Sequence, residues 1–262
     1  MIYGFEQLYL ENLKKEIFLN CTSVNNDNFG NLIADKGGDT LIAIPVSENA
    51  FLVNEIADNG MISFSCLREI SADALSHQTV SVNKKIGFIS ADNKIDFGYS
   101  DKKSVIRFIK EGDVVYIKPV IESCGNAYFT NSKCHLLKSI LVDIIKNSSA
   151  SITYAFLRED KKGAFALGKN LKMKAAYFLT LVPDLKEPAC FIKKEGDFIS
   201  DTCGVYPTAV LEKEHSLANS YYLADGCKNA VGVGLRCYDL KNGYFKVNKE
   251  DIKSLVKLLG VE

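Results

Sequence analysis

"SKCHLLKSILVDIIKNSSASITYAFLREDKKG", residues 132–163, decides the fold class. Its first half sets Leu136, Leu137, Ile140, Leu141, Ile144 and Ile145 on one stripe at helical spacing. "SSAS" (148–151) then connects helix to strand, and "ITYAFL" is a short, continuous apolar run, the mark of a strand buried on both faces. A helix that feeds such a strand is the repeating unit of an α/β sheet. The strand runs directly into Arg158-Glu159-Asp160-Lys161-Lys162 and then Gly163. The carboxyl ends of strands are where open α/β sheets build their sites, although a charged strand end is also an ordinary solvated turn.

The same alternation continues outward. "GAFALGKNL" (163–171) reads as a helix, "AAYFLTLVP" (175–183) as a strand ended by proline, and "AVGVGLRCY" (230–238) as a strand. "NKEDIKSLVKLLG" (248–260) reads as a helix capped by Asn248 and stopped by Gly260. Towards the N-terminus, Phe5, Leu8, Leu10, Leu13 and Ile17 make residues 4–18 an amphipathic helix, and "NLIA" (31–34) and "TLIAIPV" (40–46) read as buried strands. The middle of the chain differs. "AFLVNEIADNGMISFSCL" (50–67) is a hairpin around Asp58-Asn59-Gly60. The strand-like runs "QTVSVN", "KIGFIS", "KIDFGY" and "DVVYIKPV" follow. A helical break, "SDKKSVIRFI", opens at Ser100 as its expected cap. This middle block is a small β module, barrel-like, set between the first α/β strands and the rest.

Composition excludes several classes. Lys+Arg and Asp+Glu are 32 each, so no basic excess points to nucleic acid or anionic lipid. No apolar run reaches membrane-spanning length. The N-terminal stretch carries charges at helical spacing rather than an apolar signal region. The eight cysteines form no C-x-x-C pair and read as reduced, buried thiols. A cytoplasmic protein is expected. His77, His135 and His215 stand at no metal-ligand spacing and read as surface or capping residues. "GVGLR" (232–236) holds a G-x-G inside a strand, without the strand–turn–helix setting of a phosphate loop. There is no G-x-S-x-G elbow. Cys134, Cys237 and Lys161 are the candidate nucleophiles of any different enzyme class.

Taken in order, "GNLIA", "TLIAIPVSENAFLVNEIADNG", "IDFGYSDKKSVIRFIKEGDVVYIKP", "GNAYFTNSKCHLLKSIL", "ITYAFLREDKKGAF" and "VGVGLRCYDL…KEDIKSLVKLL" resemble the glutamyl-aminopeptidase and cellulase-like family of dinuclear metallo-aminopeptidases, from about residue 30 to the end. The resemblance implies an α/β/α zinc-peptidase-like sheet domain, here 1–48 plus 120–262, with an inserted small β-barrel-like dimerisation domain, 49–119. It implies homo-oligomers through the inserted domain, often tetrahedral dodecamers. It also implies two divalent metals, zinc, cobalt or manganese, whose bridging water attacks a peptide carbonyl with a glutamate as base.

Carried over residue by residue, the resemblance puts the metal ligands on Pro45, Phe129, Lys161, Thr180 and Asp239. Anchored on Gly163, the base position is Asp160 and the ligand after it Lys161; a shift of one residue gives Glu159 and Asp160. Proline and phenylalanine offer a metal no donor atom, and a lysine ammonium repels one. The expectation is a non-catalytic relative with no metal cofactor, acting by assembly or by binding a peptide or protein. The alternative is an active metal-dependent aminopeptidase with relocated carboxylate ligands among Glu48, Glu159, Asp160 and Asp239. The stretch 190–230 reads as compressed against the family.

Overall fold

A computed structural model describes residues 3–46, 49–67, 75–99, 101–157, 173–183, 185–194, 208–211 and 230–262. The chain opens with α1 (Tyr3–Ile17), β1 (Ser23–Asn26), β2 (Leu32–Asp35) and β3 (Thr40–Pro45). The middle block is β4 (Ala50–Ile56), β5 (Ile62–Cys66), β6 (Thr79–Val82), β7 (Lys85–Ile89), β8 (Ile95–Asp96), α2 (Lys102–Phe108) and β9 (Val114–Ile117). Then come β10 (Ile121–Cys124), β11 (Ala127–Thr130), α3 (Lys133–Asn147), β12 (Thr153–Leu157), β13 (Ala175–Pro183), β14 (Ala189–Lys194) and β15 (Thr208–Leu211). The chain closes with β16 (Ala230–Asp239), β17 (Phe245–Asn248) and a last helix, numbered α4 here (Lys249–Leu259).

The main sheet has 11 strands on the path β1-β2-β12-β3-β13-β16-β17-β11-β10, with β14 and β15 off β16. Its centre is parallel: β12 with β3, β3 with β13, and β13 with β16. Alternate residues of the apolar runs serve two cores, which is why these strands are apolar throughout. Ile42, Ile44, Tyr154, Phe156, Leu179 and Leu181 join the helix-covered core. Leu41, Ala43, Ala155, Leu157, Ala176 and Phe178 form a second cluster. The six stripe residues of α3 are all buried, with Val142 as a seventh. At roughly 2 kcal/mol per buried aliphatic side chain, this stripe fixes α3 more firmly than helix propensity does.

Strands β4–β9 form a separate sheet in the order β5-β4-β9-β6-β7-β8. It curls until the amide of Ile62 on β5 donates to Asn93 O in the β7–β8 turn, 3.3 Å, and it encloses its own core of Phe51, Val80, Ile89 and Val115 among others. The α/β fold with a curled second sheet is thus the architecture expected from sequence. Two details differ. The α2 cap is Asp101, whose side chain accepts from Lys103 N, where Ser100 was expected. Ser100 itself, and the expected helix at 163–171, lie outside the described residues. The hairpin β10–β11 was unread, because its outer strand is exposed and carries no alternation. Among the described residues no helix is long and apolar enough to cross a membrane.

Candidate functional site

The parallel strands end along one edge of the main sheet. Leu157, the last residue of β12, is in register with Pro45, the last of β3. On the other side of β3 the pairing runs to Ala43↔Phe178, so Thr180 stands two residues beyond on β13, as Pro45 does on β3. The structure therefore brings Pro45, Thr180 and Leu157 to one place. Thr180 is buried and Pro45 is half-buried. Glu48, Glu159, Asp160 and Lys161 lie outside the described residues, as do His215, Cys203 and Cys227.

Phe129 and Asp239 fall elsewhere. Thr180 pairs with Gly234, and Asp239 is five residues further along β16, about 16 Å at the rise of a strand. Asp239 is exposed at the strand tip and pairs with Phe245 on β17, which pairs with Thr130 on β11. Phe129 pairs with Lys246, and Lys246 with Tyr238. Residues in register point to the same face, so Phe129 lies on the opposite face from Asp239. The four described positions thus do not converge: Pro45 and Thr180 lie together, and Phe129 and Asp239 lie away from them on opposite faces.

The donor set at the described positions does not fit a metal pair. Pro45 and Phe129 carry no lone-pair donor, Thr180 offers one buried hydroxyl, and Asp239 stands apart from both. Among the described residues no group of three or more His, Cys, Asp or Glu side chains could hold an ion. Nor is the G-x-G of β16 a phosphate loop. A Cβ on Gly234 would lie 2.8 Å from Leu185 Cδ1 and 3.1 Å from Ile192 Cγ2, so the glycine lies against packed side chains rather than lining an open loop.

The thiols follow the expectation in part. Among the described residues, Cys21, Cys66, Cys124, Cys134, Cys190 and Cys237 form no disulfide. Cys190 and Cys237 are buried, but Cys124 is exposed at the end of β10, against the expectation of burial. Complete burial of Cys237 removes it as a solvent-reached nucleophile.

His135 also departs from a surface histidine. It follows the Ser132 cap, whose Oγ accepts from His135 N at 3.2 Å. Burial, with Lys138 as the lesser cause, pushes its imidazole down to about 4 from 6.5. Between those values the unfolded chain takes up a proton that the folded chain refuses. Stability therefore falls as pH drops from about 6.5 to 4, by roughly 3 kcal/mol in all. His135→Gln is expected to remove that part of the acid limb, measured as the difference between the two proteins' urea midpoints at pH 7 and pH 4.5.

Two polar constellations were missed from sequence. The Arg236 guanidinium on β16 grips Asp251 in the first turn of α4, Nη2 to Oδ1 at 2.9 Å and Nε to Oδ2 at 3.2 Å, and Nη1 donates to Lys186 O at 2.9 Å. Asn248, the expected cap, stands at the N-cap position but donates to Asp251 Oδ2 at 3.4 Å instead. The signal was available: a lone arginine in an apolar strand implies a counter-charge. The second is Asn131, just before α3. Its Nδ2 donates to Gln78 Oε1 at 2.8 Å and to Lys118 O at 2.9 Å, and its Oδ1 accepts from Val120 N at 2.8 Å. Its carbonyl oxygen accepts from Asn49 Nδ2 at 2.9 Å.

No family model matches the chain. Among solved structures, an endoglucanase from Thermotoga maritima is similar at a TM-score of 0.73 and 16% identity, over 99% of this chain and 92% of that one. The TET1 peptidase of Pyrococcus horikoshii, which can assemble into a tetrahedron or a large octahedral shell, gives 0.72 at 19% identity, over 98% and 93%. An aminopeptidase from the archaeon Desulfurococcus kamchatkensis gives 0.75 at 13% identity, over 98% and 89%. Likeness at these identities shows the fold, and it extends to the N-terminal helix as well as to the residues after 30.

Proposed function

We propose that this chain, which has the fold of the TET aminopeptidases and the endoglucanase-like peptidases, has lost the two-metal centre and works by assembly and binding. The observation that carries the reading is the chemistry of Pro45 and Phe129. Both stand where the family resemblance calls for a ligand, and neither has an atom to offer. In this reading the strand-end carboxylates 159 and 160 are remnants of a peptidase site. The chain is cytoplasmic, needs no metal and binds a peptide or a protein. Residues 49–119 form the inserted domain, and 1–48 with 120–262 the peptidase-like domain.

Metal content and turnover test this together. Protein purified without chelator or metal column, then loaded with zinc, cobalt or manganese and desalted, is expected to retain well below one ion per chain. It is expected to release no product from aminoacyl anilides. Two tightly held ions with turnover would overturn the reading and assign an active aminopeptidase with relocated ligands among Glu48, Glu159, Asp160 and Asp239.

The inserted module would carry the homo-oligomer contact. On β7 the side chains of Ile86 and Phe88 are 61% and 43% exposed, beside the module's packed core. Large apolar groups left in water on one strand face mark a contact surface. Sedimentation velocity is expected to give a species heavier than the 29.0 kDa chain, and the double variant Ile86→Asp, Phe88→Asp is expected to shift it to monomer. A monomeric unmodified protein would overturn this assignment.

A further inference from the structure

The chain passes from the main sheet to the β4–β9 sheet and back through two neighbouring crossings, 46–49 and 118–120. The crossings are bonded to each other, Ile117 N donating to Asn49 O at 2.8 Å. At the main-sheet end Val46 N donates to Leu157 O at 2.7 Å, where the charged stretch begins. On the far side Lys118 N donates to Thr79 O at 2.8 Å. Asn131 touches every one of these segments. It holds the outgoing crossing through Asn49, the returning crossing through Lys118 and Val120, and the module through Gln78.

Both amides are buried, Asn131 at 3% exposure and Gln78 at 2%. Both Asn131 Nδ2 hydrogens and its Oδ1 are used, so its side chain has little freedom to re-pair. Gln78 is itself clamped: its N–H donates to Leu75 O at 3.1 Å, and its carbonyl accepts from Ile89 N at 3.0 Å. The preceding residue, His77, holds a φ of 66°, a left-handed conformation unusual for a side-chain-bearing residue. The lever on the module side is therefore fixed in place.

We propose that Asn131 is a coupling joint that makes the orientation of the β4–β9 module and the position of the β3 end at Pro45 and Val46 a single element. An event on the module, such as contact with a partner, is then felt at the edge of the main sheet through Gln78, Asn131 and Asn49. This does not depend on whether the metal centre is lost.

Hydrogen exchange by NMR on the full chain tests it. Gln78→Met keeps the side-chain length and removes the acceptor. The variant is expected to exchange the Val46 amide about tenfold faster, together with Ile117, Lys118 and Val120. Ile42 and Val115, in the two sheet centres, are expected to keep their protection. Asn131→Asp, which sets a carboxylate oxygen against Lys118 O, is expected to give the same pattern. An unchanged Val46 rate in both variants would overturn the proposal and reduce Asn131 to a local fastening. Loss of protection at Ile42 and Val115 as well would also overturn it, since the amides would then support the whole fold rather than a joint.

Discussion

Asp251→Ala is expected to cost about 3–5 kcal/mol of folding stability, the range for removing one partner of a buried ion pair. Asp251 is 3% exposed and receives two bonds from one guanidinium. Without it, Arg236 keeps Lys186 O, the face of Tyr238, 5.7 Å away, and the weaker field of Glu187. A partly buried cation would be left without a hydrogen-bonded counter-charge. The double replacement Arg236→Met with Asp251→Leu is expected to cost much less, because it removes both charges and leaves apolar volume. Urea unfolding of the three proteins at pH 7 checks this. A single variant within about 1 kcal/mol of the parent would place the pair among ordinary surface bridges. The consequence is local as well as global, since this pair ties β16, three residues before Asp239, to the first turn of α4 by charge.

Gly38→Ala is expected to cost about 4 kcal/mol or more, enough to deplete soluble protein at 37 °C. A Cβ there would lie 2.1 Å from Ser151 O and 2.9 Å from Ser151 C, both backbone atoms that cannot step aside. The residue also holds φ +87°. The turn around it is committed on all sides. Lys36 N donates to Ile152 O, and Asp35 Oδ1 accepts from Gly37 N and from Thr153 Oγ1. The Lys36 ammonium donates to Ile145 O and Ser148 O at the end of α3. Relief of the clash would move β12 or loosen that helix end. Gly60→Ala is the control. It has φ +83° with nothing within 4 Å, so only the backbone cost of about 1 kcal/mol applies. Thermal melts of both variants separate the two contributions. Equal losses would mean that the close approach at Ser151 relaxes without penalty.

Much of the fold was readable because its segments repeat a single period. The stripe of α3, the apolar run of β12 and the Asp58-Asn59-Gly60 hairpin each carry their own signal within a few residues. What stayed hidden depends on residues far apart. "FTNSK" reads as a turn, and Asn131 is polar for that reason alone until residues 49, 78, 118 and 120 are brought around it. His135 sits one place off a legible stripe, and only the surrounding packing makes it a half-buried imidazole. The short strands β1 and β17 have too few residues and too mixed a burial for alternation to show. Pro45 and Thr180 were named from the family resemblance, and it is the parallel register that sets them at the same level of neighbouring strands. Phe129 lies on β11, a strand the pattern does not reveal, and Asp239 one residue past the expected end of its strand, so their faces and spacing required the register.

The place of β3 at the centre of the sheet has a kinetic meaning. Ala43 pairs with Ala155 and Phe178, so its neighbours are made more than a hundred residues later. At roughly 5–20 residues per second of synthesis, the most apolar strand of the N-terminal segment waits on the order of 10 s for its first parallel partner. The β4–β9 sheet, whose strands are all made by residue 117, can close during that interval. The nascent chain therefore carries a finished small barrel beside an unpaired sticky strand, and that interval is when it most needs a chaperone.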